Sequence, residues 1–256
     1  MRRLDLVEIH DCRWCPEVIR DGLTDFLEIS TDVLDSYGPV RTLLLEVLSR
    51  CGTDRVLDLC SGAGGPWVHW LRQGLVPATV TLTDKFPNLE ARRRLMQMGI
   101  ARLSYCPEPL DATAAPADLK GLRTMFTAFH HFPFKQARAV ITDAVLKRQP
   151  IAIFELTSRT PKGLFSMLLS PIGVWWLTPR MKKIGWKKWL LTYVLPLIPV
   201  VVLIDGIISC LRTYSIGELN SMATDTSYTW QIGAIKAAGG PITYLVGRPN
   251  QEEEPA

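Results

Sequence analysis

Apolar residues recur along this chain in two rhythms. Short continuous runs at 55–60, 79–83, 103–106, 123–129 and 150–156 are bounded by glycine, proline or charged residues. Runs of that length belong to strands buried on both faces. Between them, apolar residues fall three and four apart, as Leu43, Leu44, Val47 and Leu48 do. That spacing predicts helices over 39–50, 66–72, 88–97 and 135–148, and the alternation of the two patterns predicts a parallel sheet. After a long interruption come a helix at 216–223 and two further runs, 228–234 and 242–247, which read as an antiparallel closing pair. Ser215-Ile216-Gly217-Glu218 has the spacing of a capping box at the start of that helix. The fold class predicted is α/β, a doubly wound seven-stranded sheet with an apolar helical insertion between strands 5 and 6.

The remaining segments divide the chain. Residues 1–36 form a leader, with Val18, Ile19, Leu23, Phe26 and Leu27 on one face of a helix over 17–29. The core domain runs from 37 to 249, interrupted by the insertion at about 160–214, and 250–256 with its three glutamates reads as a disordered tail. Inside the insertion, Trp189–Leu211 is 23 residues long and carries a single charge, Asp205. By length it could span a bilayer, but strands 6 and 7 must rejoin the sheet on the side where they left it. A hairpin would bury the lysine-rich stretch 180–188 at its tip, which is costly. Two readings remain, an apolar lid over the site and a patch lying in a membrane interface through 164–211. The lid is preferred, because doubly wound folds build acceptor pockets from such insertions.

The densest chemistry lies at Val56-Leu57-Asp58-Leu59-Cys60-Ser61-Gly62-Ala63-Gly64-Gly65-Pro66, where a strand enters a glycine turn that opens a helix. A second strand follows and ends in Asp84. A backbone that a ligand can approach and a carboxylate one strand over fit a nucleoside cofactor. A dinucleotide site wants a third glycine where this chain has Trp67, and it gains nothing from Asp58. The pattern resembles the class I methyltransferases that use S-adenosylmethionine, whose first motif Asp58 to Gly64 matches. The resemblance implies a Rossmann-like methyltransferase fold with S-adenosylmethionine as cofactor. It places Asp58, Ser61, Gly62 and Gly64 around the methionine part of the donor and Asp84 on the ribose. It also places Asp111 at the adenine, with Lys85 and Phe129 completing the cofactor-binding set.

The end of strand 4, Phe129-His130-His131-Phe132, should face the donor's methyl group, since ligands sit beyond the carboxyl ends of the strands. Side chains alternate along a strand, so His130 and His131 are expected to point apart, one of them toward the acceptor as a catalytic base or positioning group. Trp14 and Tyr37 from the leader, Glu155 at the mouth of strand 5, and Asp205, Arg212 and Tyr214 from the insertion complete a candidate acceptor site. Asp205 and Arg212 are two helical turns apart, and pairing with each other or with a lysine is the plain reading of both. The acidic residues are dispersed and no His/Asp set is clustered in sequence, so no metal is expected. Trp14-Cys15-Pro16, Asp58 to Gly62, Phe129 to Phe132 and Asp205-Gly206 to Tyr214 are also similar to patterns of a bacterial group of methyltransferase-like proteins.

Composition narrows the picture further. Lys+Arg number 29 against 25 Asp+Glu, too even for a nucleic-acid partner. Six scattered cysteines and the lack of an apolar run near Met1 predict a reducing, cytoplasmic setting, with peripheral membrane contact as the variant of it. Cys12-x-x-Cys15 lacks the second pair that a structural zinc needs. The function expected is methyl transfer from S-adenosylmethionine to a small, largely hydrophobic acceptor. The rivals are a donor-binding protein docked on membranes without catalysis, and a nicotinamide oxidoreductase.

Overall fold

A computed structural model describes residues 1–87, 89–181 and 184–250. The chain runs α1 (Glu17–Leu34), α2 (Gly38–Arg50), β1 (Arg55–Asp58), α3 (Trp67–Arg72), β2 (Thr79–Leu82), α4 (Leu89–Gln97), β3 (Leu103–Tyr105), β4 (Leu122–Phe126), α5 (Phe134–Leu146) and β5 (Ile151–Glu155). It continues through α6 (Pro161–Leu168), α7 (Ser170–Leu177), α8 (Trp186–Tyr193), α9 (Leu197–Arg212), α10 (Ile216–Met222), β6 (Tyr228–Ile235) and β7 (Ile242–Pro249). The strands form one seven-stranded sheet in the order β3-β2-β1-β4-β5-β7-β6. The first five are parallel, and β7 enters antiparallel between β5 and β6. The order reverses between β1 and β4, so the carboxyl ends of those two strands open the crevice where such sheets bind ligands.

Both sheet faces are buried, as the continuous apolar runs require. One face packs on α2 and α3 through Leu44, Trp67, Trp70 and Phe154, the other on α5 and α10 through Leu57, Met125, Ile141 and Leu219. The capping box forms, with the Ser215 hydroxyl accepting the Glu218 N–H and the Glu218 carboxylate accepting the Ser215 N–H.

The leader and the insertion share a third core. Cys15, Ile19, Leu23 and Phe26 interleave with Val174, Leu177, Ile198, Val201 and Val202. Gly22 permits this approach of α1 to α9, since a Cβ there would stand 2.6 Å from Ile198 Cδ1. The insertion is helical, as expected, and α1 continues to Leu34, one turn beyond the predicted 17–29. Trp186–Tyr193 and Leu197–Arg212 meet at a bend of 70°. Among the described residues no single helix is long and apolar enough to cross a membrane.

Two expectations need correction. Strand 4 ends at Phe126, and Phe129–His131 is a 3₁₀ turn. The tail does not begin at 250: Asn250 donates its backbone N–H to Ser227 and accepts the Thr229 hydroxyl, while 251–256 lie outside the described residues.

Candidate active site

The first βα junction is built from left-handed backbone. Cys60, Gly62, Gly64 and Gly65 have φ of 55°, 51°, 103° and 49°. Nothing lies within 4 Å of where a Cβ on Gly62 would stand, so its backbone faces open space. The Gly62 N–H donates to Asp84 Oδ2 at 3.0 Å, and the Phe86 N–H donates to Asp84 Oδ1 at 2.9 Å. The glycine turn and the second-strand carboxylate are therefore in direct contact.

Its other members divide into lining and support. Ser61 does not line the pocket with its hydroxyl. That group is buried, donates to the Asp58 carbonyl at 2.8 Å and accepts the Thr83 N–H at 3.1 Å, stapling β1 to β2. Gly64 faces inward, where a Cβ would meet Val68 Cγ2 at 2.8 Å. Trp67, in the slot of a third glycine, is fully buried edge-on to Trp70 and Phe126 and fills the floor beneath the turn. Asp58 is buried as well and accepts the Thr124 hydroxyl at 2.6 Å. Burial pushes its carboxyl up to about 6, against the Thr124 and Ser61 hydrogen bonds and with help from the neighbouring Asp84 charge. Lys85 lies 2.7 Å from Asp111 Oδ2, and Thr113 donates twice to Asp111 Oδ1. The Lys85 ammonium is the main reason the Asp111 carboxyl falls to about 2. An adenine amino group at Asp111 would have to displace Lys85.

At the end of β4, Thr127 has φ 45°, a strained conformation for a β-branched residue. Its Oγ1 accepts the Tyr37 hydroxyl at 2.7 Å and the Leu156 N–H at 3.0 Å. Tyr37 is thus a buried brace for the strand-4 mouth and not an acceptor contact. Beyond Thr127 the chain turns, and strand alternation no longer applies. Phe129 packs in the core and cannot touch a cofactor with its ring. The rings of His130 and His131 do not point apart: they lie 4.3 Å centroid to centroid, tilted by 34°.

Glu155 organises this turn. Its Oε1 accepts the Phe129 N–H at 2.7 Å and its Oε2 pairs with His130 Nδ1 at 2.6 Å. Both oxygens are used and the residue is buried, so it is not available to an acceptor. Burial alone would lower the His130 pKa, but Glu155 and Glu8 raise it to about 9. Its Nδ1 is committed to Glu155, and its Nε2 faces Glu8 Oε1 at 3.4 Å.

The leader completes the cluster, and here the sequence expectation of no gathered His/Asp set fails. Glu8, His10 and Asp11 lie against His130 and His131. Among the described residues Asp205 is paired neither with Arg212 nor with a lysine: it accepts the Ile9 N–H at 2.6 Å and the His10 N–H at 3.0 Å, and contacts His10 Nδ1 at 2.9 Å. Arg212 donates to the His131 carbonyl at 2.8 Å and reaches Glu8 Oε1 at 3.5 Å. Tyr214 donates to the Phe132 carbonyl at 2.6 Å beneath Arg3. Trp14 is 72% exposed. The dense Glu8-x-His10-Asp11 run was the one local signal of this cluster.

Alongside the glycine turn lies a cavity of about 140 Å³, roofed by α1 through Asp25, Glu28 and Ile29 and by Arg180 and Met181 of the insertion, with Gly65 and Val68 beneath.

The strand order, the antiparallel β7 and the glycine turn opposite an acidic β2 end decide the architecture. The chain has the class I methyltransferase fold. The solved structure of the plantazolicin methyltransferase BpumL with S-adenosylhomocysteine superposes with a TM-score of 0.51 over 91% of this chain and 98% of that one, at 10% identity. LaPhzM superposes with a TM-score of 0.50 over 82% of this chain, at 15% identity, and this chain spans about half of it, 54%. No family model and no curated protein sequence matches the chain. Beyond the sheet and its crossover helices, α1 and α6–α9 pack on one another as a helical cap.

Proposed function

We propose that this chain transfers a methyl group from S-adenosylmethionine to a lipophilic small molecule that it meets at a membrane surface. The carrying observation is the exposed left-handed Gly62, whose N–H meets the Asp84 carboxylate across the mouth of the sheet. Asp84 is half-buried, and each of its oxygens, though accepting one backbone N–H, keeps a second lone pair for a ribose hydroxyl, while the open space over Gly62 admits the donor's backbone-proximal part. BpumL binds S-adenosylhomocysteine, the demethylated donor, on the same fold. The donor supplies an activated sulfonium methyl. The chain's part is to hold the acceptor in line with it and keep water away.

The cap supports the membrane half of this reading over the pure lid. Its exposed apolar side chains include Phe165, Leu168, Leu169, Ile172, Trp175 and Trp176, and then Trp186, Trp189, Val194 and Leu195. So many exposed apolar side chains within one segment favour an interaction site. Arg180 lies 4.1 Å over the Trp176 ring, and Lys187 lies beside Trp186, so cations and indoles share the rim as they do at headgroup level. Lys188 is not free for lipid, because it bridges to Asp25 of α1.

Calorimetry tests the donor site. Wild-type protein is expected to bind S-adenosylhomocysteine saturably, with Asp84→Ala at least about tenfold weaker, and a screen of lipid-soluble acceptors with labelled donor is expected to yield a methylated product. Equal affinity in both proteins would remove Asp84 from the site, and no affinity in either would end the reading.

A further inference from the structure

Three of the chain's four histidines, brought from two distant segments, meet around one buried carboxylate, Glu8. His130 Nε2 lies 3.4 Å from Glu8 Oε1, His131 Nε2 lies 3.9 Å from Glu8 Oε2, and His10 Nδ1 lies 3.5 Å from Glu8 Oε2. These separations to Glu8 are longer than the contacts of the same rings to other carboxylates, 2.6 Å for His130 Nδ1 to Glu155 and 2.9 Å for His10 Nδ1 to Asp205. Ligand atoms held about 2.1 Å from a tetrahedral metal stand about 3.4 Å from one another. The ligating atoms of Glu8, His130 and His131 all fall within 4.8 Å of each other, as do those of Glu8, His10 and Asp11.

The second observation concerns His130 itself. Its ring is buried, only 1% exposed, and Nε2 makes no hydrogen bond, standing 3.4 Å from Glu8 Oε1. Nδ1 is fixed by Glu155, which in turn is fixed by the Phe129 N–H. A carboxylate on the far nitrogen orients a histidine and raises its basicity, the outer-shell arrangement that metal-ligating histidines use. His131 completes an open set, with its side chain 32% exposed and so reachable by ion and solvent.

We propose that Glu8, His130 and His131 bind one divalent late first-row transition-metal ion through a carboxylate oxygen and two imidazole Nε2 atoms, the ion replacing the Nε2 proton of His130, which leaves to solvent. Two imidazoles and one carboxylate leave coordination positions open and favour ions of the zinc, iron(II) or cobalt(II) type over magnesium or calcium. His10 and Asp11 flank the ion on its solvent side. Arg212, which touches Glu8 Oε1, locks the carboxylate in place from α9. The site spans leader, β4 turn and β5, so an ion there would fasten the cap to the sheet edge.

The test uses the full-length protein, stripped with a chelator and then freed of it, and titrated with cobalt(II) and zinc(II) in the absence of any donor. It is therefore independent of the methyltransferase reading. One equivalent of cobalt is expected to bind with the visible bands of nitrogen and oxygen ligation, and zinc to displace it and raise the melting temperature. His131→Gln, on a half-exposed side chain, is expected to weaken binding by at least about tenfold. Glu155→Gln, which leaves the three ligands in place, is expected to weaken it similarly, and His69→Gln, at the remote fourth histidine paired with Asp32, to leave it unchanged. The proposal fails if no saturable binding is seen, if His131→Gln binds like wild type, or if a sulfur-to-cobalt charge-transfer band assigns the ion to Cys12 and Cys15.

Discussion

His130 and Glu155 stand on neighbouring elements of the sheet edge and meet at 2.6 Å with both side chains buried. The contact fixes the turn after β4 to the end of β5, and through Glu8 it couples that turn to the leader. Removing one partner of a buried ion pair leaves the other uncompensated, at a cost of about 3–5 kcal/mol. Glu155→Gln keeps the volume and one acceptor, so a loss of about 3 kcal/mol is expected in urea unfolding. A change within the error of the method would show that His130 carries no charge in the folded protein.

Asp205 ties the cap down through the leader. Asn at this position accepts at one oxygen only, so the contacts to the Ile9 N–H, the His10 N–H and the His10 ring cannot all persist. Asp205→Asn is expected to lose about 2 kcal/mol and to speed tryptic cleavage at the exposed Arg13. The proteolysis rate separates this role from a contact to the acceptor, which would alter turnover with the leader still protected.

Asp58 gives a pH signature. Its carboxyl is raised to about 6 in the folded protein, against about 3.9 in an unfolded chain. Between those values the folded state holds a proton that the unfolded state has lost, so this residue's contribution to stability falls as pH rises from about 4 to about 6. The loss is on the order of 2–3 kcal/mol. Chemical denaturation of wild type and Asp58→Asn across this range is expected to give a difference that shrinks at acid pH and grows toward neutrality. Parallel curves would mean that Asp58 titrates normally.

The cap's rim predicts lipid dependence. Each Lys or Arg near an anionic surface contributes about 1 kcal/mol, so reversing Arg180 and Lys187 together is expected to weaken sedimentation with phosphatidylserine vesicles by at least about 30-fold. Trp186→Ala, removing the cap's most exposed indole at 72%, is expected to weaken binding to neutral vesicles too. Vesicle binding by neither wild type nor variants would return the cap to the role of a lid.

The sheet, its crossover helices and the glycine turn were legible in the sequence, because each rests on local rules. Continuous apolar runs must be buried on both sides, helical spacing must cover them, and positive φ calls for glycine at Gly62 and Gly64. The same local rules misplace residues where the chain leaves regular structure. Strand alternation could not foresee that Thr127 turns left-handed and sends both histidines to one side. Nor could helical spacing supply Asp205 with its true partner, since His10 is 195 residues away in sequence. The amino-acid order by itself determined the doubly wound architecture and the position of Asp84 opposite the turn. Tertiary structure alone decided that Glu8, His10 and Asp11 close on His130 and Glu155, because buried polar groups take partners from whatever segment packing brings near, and that choice is made by the shared core of α1 and α9.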